Sequence, residues 1–185
     1  LEEARAHTDR VIHLANQLLS LARIETGAQS IAEGGAQRLD LSQLARELGL
    51  AMAALAHKRG VALALEAEQP VWIDGEPTLL TELLSNLLDN ALAHTPSDGN
   101  VVLRVTDQAV LEVEDDGPGI PEAERAKVFA RFYRVHQQGR GAGLGLAIVG
   151  EIVRAHRATI ELDQGALGGL LVKVRFPPPA PDSAS

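Results

Sequence analysis

The stretch "RGAGLGLAIV", Arg140 to Val149, sets three glycines two residues apart and then passes directly into an apolar run of helical period. Glycine costs backbone entropy, so Gly141, Gly143 and Gly145 need a compensating role. A helix N-terminus carries unpaired N–H groups and suits an anion, and glycine lets a phosphate approach it closely. The two commonest phosphate loops do not fit. A Walker A loop ends in Gly-Lys, a pair absent from the chain, and a G-x-G-x-x-G loop fails because Leu144 and Leu146 stand where the third glycine belongs. Taken alone, the loop is either a flexible hinge or a phosphate site of another kind.

Outward from this loop, strands and helices alternate. The loop leads into a helix over 144–156, and the strands "ATIELD" and "LLVKVRF" follow it. Upstream, "NVVLRVTDQAVLEVEDD" reads as two strands joined at Asp107–Ala109. A short helix follows Pro121, where proline is tolerated in a first turn. Residues 76–95 form a strongly apolar helix, preceded by the strands "VWID" and "VALALEAE". The helix over 40–60 takes Ser42 as its cap and leaves Gly60 past its end. The pattern predicts an α/β fold: a two-layer sandwich over 38–177, with a mixed, largely antiparallel sheet and helices on one face.

One long α-helix precedes it over 1–26. Val11, Leu14, Leu18 and Leu21 make an a/d seam suited to a helical hairpin or a coiled-coil dimer. Gly27 reads as its stop, 27–37 as a glycine-rich linker, and 178–185 as a disordered tail.

The 185 residues suffice for one domain with an appendage. Apolar residues make up 45% and charged residues 23%, as expected of a soluble domain. A net charge of −8 without any basic run argues against a nucleic-acid partner. The absence of cysteine excludes disulfides and thiolate metal sites. No apolar run approaches the roughly 18–20 residues that span a bilayer, and no signal peptide opens the chain. The start at Leu1, with Met52 as the only methionine, reads as a piece of a longer protein whose membrane segment, if any, precedes it.

Three further stretches carry chemistry. On the helix "ELLSNLLDNALAHT", Glu82, Asn86 and Asn90 lie at i, i+4 and i+8, one polar stripe on a leucine-rich helix. The stripe faces either solvent or a ligand that satisfies its amides, and the neutral oxygen of Asn90 suits Mg²⁺. In "VEDDGPGIP", Asp115 ends a strand beside Gly117 and Gly119. This is either a surface turn or a carboxylate that accepts from an amino group while a flat ring lies on bare backbone. Shared metal ligation by Asp115 and Asp116 is disfavoured, because neighbours on a strand point to opposite faces. In "VFARFYRV", Phe129, Phe132 and Tyr133 read as core packing, and Arg131 and Arg134 as candidate phosphate partners.

An asparagine helix, D-x-G-x-G, an aromatic–arginine segment and G-x-G-x-G before a helix, in that order from about Leu39 to Phe176, resemble the ATP-binding domain of sensor histidine kinases. This is the GHKL superfamily with the Bergerat fold, to which gyrase also belongs. The resemblance implies ATP and Mg²⁺ as cofactors. "NLLDN" is similar to the N box, which makes Asn90 the Mg²⁺ ligand and turns Asn86 to the phosphates. "DDGPGIP" is similar to the first glycine box, with Asp115 on the adenine amino group and Gly117 and Gly119 lining the base. "FARFYR" is similar to the F box, with Phe132 and Arg134 at the nucleotide. "GAGLGL" is similar to the second glycine box, placing Gly141, Gly143, Leu144, Gly145 and Leu146 at the phosphates, with an ATP lid over about 135–140.

The implied reaction moves the γ-phosphoryl group of ATP to a histidine, with Glu82 or Asn86 orienting or deprotonating the ring. Relay to an aspartate of a response regulator receiver domain would follow. "DRVIHLANQLLSLARIE" is similar to the second helix of the dimerisation and phosphotransfer hairpin, which implies a homodimer in the intact kinase. The chain would be the cytoplasmic portion of a bacterial inner-membrane sensor, tied to the membrane only through a region before Leu1. The phosphoacceptor pattern is absent: His7, His13, His57, His94, His136 and His156 lack its context and read as surface or packing histidines. Ala93 stands where many N boxes carry Lys or Arg, which leaves His94, Arg131, Arg134 or Arg140 to meet phosphate, and His156-Arg157 replaces a common His-Gly. The alternatives are a nucleotide-binding module inactive on its own, or another GHKL-type ATPase or serine kinase.

Overall fold

The computed structural model describes residues 19–20, 23–135 and 143–181. Helix α1 occupies 23–32 and does not stop at Gly27. A Cβ at Gly27 would lie 2.7 Å from Leu79 Cδ1, so its bare backbone serves close approach to a neighbouring helix and not termination. The stop falls at Gly34, with φ +87°: Gly34 N–H donates to Ile31 O at 3.1 Å and Gly35 N–H to Ser30 O at 2.8 Å. This is a Schellman end. The expected linker is thereby reduced to one turn before strand β1, Gln37–Asp40. The a/d seam of Val11, Leu14, Leu18 and Leu21 lies outside the described residues.

Helix α2, Leu41–Lys58, is capped by Asp40 and not by Ser42: the Asp40 carboxylate accepts from Ser42 N–H at 2.9 Å and from Val71 N–H at 3.0 Å. Ser42 already lies in the first turn, with its hydroxyl buried and without a partner. Strands β2, Ala62–Glu66, and β3, Trp72–Gly75, lead to helix α3, Pro77–His94. The hairpin of β4, Asn100–Thr106, and β5, Val110–Asp115, turns at Asp107–Ala109 as expected. Helices α4, Glu122–Arg125, and α5, Gly145–Ala155, precede strands β6, Thr159–Gln164, and β7, Leu170–Arg175.

The main sheet runs β2-β4-β5-β7-β6, with β2 parallel to β4 and every other pairing antiparallel. Its inner face carries Val101, Leu103, Leu111, Val113, Val172 and Val174, and α2, α3 and α5 cover it. The α/β sandwich with helices on one face is thus present. Its outer face is open: Glu66, Arg104, Glu112, Lys173 and Glu161 lie side by side in register across all five strands.

The strands β1 and β3 form a separate antiparallel ribbon. The C-terminal segment meets this ribbon: Ala180 N–H donates to Asp74 at 2.6 Å, and Arg38 donates to Ala180 O at 2.6 Å. The tail expected from 178 is therefore held at Ala180 by a paired cation and carboxylate. Residues 182–185 lie outside the description.

Candidate functional site

Helix α3 begins at Glu76, whose carboxylate accepts from Leu79 N–H at 2.6 Å, with Pro77 in the first turn. Its leucines Leu79, Leu80, Leu83, Leu84, Leu87, Leu88 and Leu92 are all buried, which fixes the rotation of the helix about its axis. The stripe Glu82, Asn86 and Asn90 is consequently half-buried along the margin of that face. Asn86 Nδ2 donates to Glu82 O at 2.8 Å, which turns Oδ1 outward toward the start of α5. A Cβ at Gly145 would sit 3.3 Å from that oxygen. The carboxamide of Asn90 makes no hydrogen bond among the described residues. His94 in the last turn and Ala93 are exposed.

Helix α5 opens at Leu144 without a side-chain cap, so its first N–H groups are left for another partner. The side chain of Leu144 is fully buried, so only its backbone faces the helix start, while Leu146 packs partly against the core. Gly143 adopts φ +71°, and a Cβ there would lie 2.7 Å from Tyr133 O. Only glycine fits this crossing. Phe132 N–H donates to Gly143 O at 2.9 Å, joining the two sides of the segment 136–142. Gly141, His136 and Arg140 lie outside the described residues.

Phe132 departs from the expected core packing: it is 63% exposed with φ +65°. The backbone direction that brings its N–H to Gly143 turns the ring outward. Phe129 is half-buried and lies under Gly150 of α5. The Tyr133 hydroxyl donates to Glu124. Arg131 lies 4.0 Å from Glu151, a long ion pair, and Arg134 is half-buried.

At the end of β5, Asp115 is 4% exposed. Its Oδ1 accepts from Gly117 N–H at 2.9 Å and from Leu170 N–H at 3.2 Å. Burial pushes its pKa above the ordinary carboxylate value, opposed by those two N–H groups and by His94. Gly119, at φ +68°, carries the loop past Gly169. Asp116 points away from Asp115 and braces Asn100, accepting from its N–H at 2.7 Å and its Nδ2 at 3.0 Å. No group of three His, Cys, Asp or Glu side chains able to hold a metal occurs among the described residues.

Sequence reasoning missed Gly169 and Leu170. A Cβ at Gly169 would lie 2.5 Å from Asp115 Oδ1, so this glycine lets the turn before β7 close over the carboxylate. The pair "GG" at 168–169 was the available signal, but nothing local ties it to a strand 50 residues earlier.

Asn-bearing α3, uncapped α5 and the buried Asp115 thus border one side of a sandwich whose loops present bare N–H groups and a carboxylate. This is the arrangement of a nucleotide-binding α/β domain. A family model described as the histidine kinase-, DNA gyrase B-, and HSP90-like ATPase matches residues 75–180, and the chain belongs to that family. The sensor protein kinase PmrB of Pseudomonas aeruginosa is 37% identical over 181 residues, covering 95% of this chain and 37% of PmrB. Among solved structures, the mycobacterial sensor histidine kinase MprB has a TM-score of 0.68 at 28% identity, covering 78% of this chain and 99% of that one. The full-length ShkA structure, solved in complex with AMPPNP, has a TM-score of 0.75 at 28% identity, covering 97% of this chain and 38% of that one. The chain spans less than half the length of the curated relatives it matches. No helix among the described residues is long and apolar enough to cross a membrane.

Proposed function

We propose that this chain is the ATP-binding catalytic unit of a two-component sensor histidine kinase, delivering the γ-phosphoryl group of ATP to a histidine. The observation that carries the reading is the junction of α3 and α5. There Asn86 Oδ1 faces the uncapped first turn of α5 at Gly145, so a polar side chain and a row of helix N–H groups converge on one point.

Asp115 takes the adenine end. Both donors reach Oδ1, which leaves Oδ2 to accept from the 6-amino group, and the backbone of Gly117 and Gly119 lines the ring. Asn86 and the backbone of Gly143, Leu144, Gly145 and Leu146 take the phosphates, Arg134 supplies the positive charge that Ala93 does not, and His94 adds an imidazole N–H. Phe132, exposed beside Gly143, takes a place at the nucleotide's edge.

The carboxamide of Asn90, which makes no hydrogen bond among the described residues, fits Mg²⁺, which takes few protein ligands and keeps phosphate oxygens and water for the rest. The ion would neutralise charge on the transferring group. Glu82, four residues before Asn86, orients or deprotonates the incoming imidazole. The partners that follow from this reading are a response regulator receiver domain and, in the intact protein, a second copy of the kinase. The location that follows is the cytoplasmic side of a bacterial inner membrane.

Calorimetric titration with AMPPNP tests the assignment, and Mg²⁺-dependent micromolar binding is expected. Asp115→Asn keeps an acceptor for Gly117 and Leu170 but offers N–H₂ to the adenine. Losing one charge-assisted hydrogen bond of about 1.5–3 kcal/mol lowers affinity roughly ten- to hundredfold. Because the folded pKa lies above the ordinary value, the accepting carboxylate is lost as pH falls through that raised value, and binding weakens earlier than for an exposed aspartate. Unchanged affinity in Asp115→Asn would overturn the adenine assignment. Transfer to a phosphoacceptor hairpin added in trans is expected, and steady ATP hydrolysis without any acceptor would point to an ATPase instead.

A further inference from the structure

Glu114 precedes Asp115 on β5 and points to the opposite, outer face of the sheet. That face is solvated, yet Glu114 is only 5% exposed, because the turn 165–169 between β6 and β7 folds over it. Its Oε1 accepts from Leu167 N–H at 2.8 Å, and a Cβ at Gly165 would lie 2.5 Å from the same oxygen. Arg104 is 4.0 Å from Oε2, too far for a hydrogen bond, so the turn is the main partner of this carboxylate.

The turn closes on itself through Gly165 N–H to Gly169 O at 3.1 Å and Gly168 N–H to Gly165 O at 3.0 Å. It then delivers Leu170 N–H to Asp115 Oδ1 at 3.2 Å. Two consecutive carboxylates on opposite faces of one strand therefore hold the middle of one short turn and its exit into β7.

We propose that Glu114 is a positioning residue for purine recognition: by anchoring the turn at Leu167 it sets Leu170 N–H on Asp115 Oδ1, and so fixes the rotation that presents Asp115 Oδ2 to a 6-amino group. The inference rests on the reading that Asp115 receives that amino group. It makes base discrimination depend on a side chain that touches no nucleotide.

The test compares ADP with IDP, which carries oxygen in place of the 6-amino group, by calorimetry on the whole chain with Mg²⁺. The wild type prefers ADP. Glu114→Ala lowers ADP affinity about tenfold and leaves IDP affinity within about threefold, whereas a merely destabilised domain loses both together. Glu114→Gln retains an oxygen acceptor for Leu167 and restores the preference. Gly165→Ala displaces the Glu114 carboxylate without removing it and reproduces the loss, which decides the matter if Glu114→Ala does not fold. Asp115→Asn separates the two readings. If it keeps the wild-type preference, the assignment of Asp115 fails. If it abolishes the preference while Glu114→Ala or Gly165→Ala keeps it, the role of Glu114 is overturned.

Discussion

Replacing His156 by Leu removes a buried clasp between the two helices that flank the site. The imidazole is 5% exposed at the end of α5. Its Nδ1 lies 2.8 Å from Ile152 O, and its Nε2 accepts from Glu76 N–H at 3.1 Å, which fixes a neutral ring protonated on Nδ1. Glu76 is the cap of α3, so one side chain joins the end of α5 to the beginning of α3. In the variant Ile152 O keeps its helical bond from the backbone of residue 156, now 3.1 Å long, and leucine refills most of the volume. The Glu76 N–H, however, loses its acceptor. Leaving a buried donor unpaired costs about 1–3 kcal/mol. At about 2–4 °C per kcal/mol for a chain of this size, the melting temperature falls by roughly 4–8 °C for a cost of ~2 kcal/mol.

The pH dependence supplies a second signature. Burial lowers the His156 pKa below 6.5, outweighing the opposite pulls of the Ile152 carbonyl and the Glu76 charge. The unfolded chain therefore binds the proton first. The wild type keeps the full stabilisation above pH 6.5 and loses part of it as pH falls from 6.5 toward the folded value. The variant has no such group, so the gap between the two proteins narrows on acidification. Urea unfolding of both at pH 7.5 and 5.5 measures it. A gap under ~0.5 kcal/mol at pH 7.5, or one equal at both pH values, would refute the clasp.

Two further substitutions probe the backbone. Arg157 ends α5 in a Schellman turn with φ +54°, and Arg157→Gly should raise stability by about 1 kcal/mol without changing ADP affinity. A lower melting temperature would show that the arginine side chain contributes more than its strained backbone costs. Gly143→Ala places a methyl 2.7 Å from Tyr133 O at φ +71°, so the chain must shift where the phosphates are proposed to sit. A strain of about 1–3 kcal/mol should appear as an ADP affinity at least about fivefold weaker, and unaltered binding would separate this crossing from the nucleotide.

The parts of the site legible in the sequence are those whose geometry is local. The stripe Glu82, Asn86 and Asn90 follows from the helical period alone, and the turn after Asp115 from its glycines. The parts that stayed hidden depend on what a residue meets in space. Gly27 has the composition of a helix stop, but its missing side chain is used against Leu79. Strand β1 is four residues long and half exposed, so it has no alternation to read, and it exists because β3 pairs with it. Phe132 looks like core by residue type, yet its left-handed backbone faces the ring outward. Gly169 and His156 act on partners more than 50 residues away, beyond any window of periodicity.

The hydrogen bond from Phe132 to Gly143 has a consequence for how this domain can change over generations. It shuts the base of the intervening segment, so the domain on either side is indifferent to how many residues lie between. Once the ends of a loop are joined, each doubling of its length adds only about 0.6 kcal/mol of closure entropy. Insertions and deletions there leave α3, α5 and the buried Asp115 in place. Descendants of one sequence can therefore trial connections of different length and chemistry there at nearly constant stability, and an engineer can splice a reporter peptide between the same two residues.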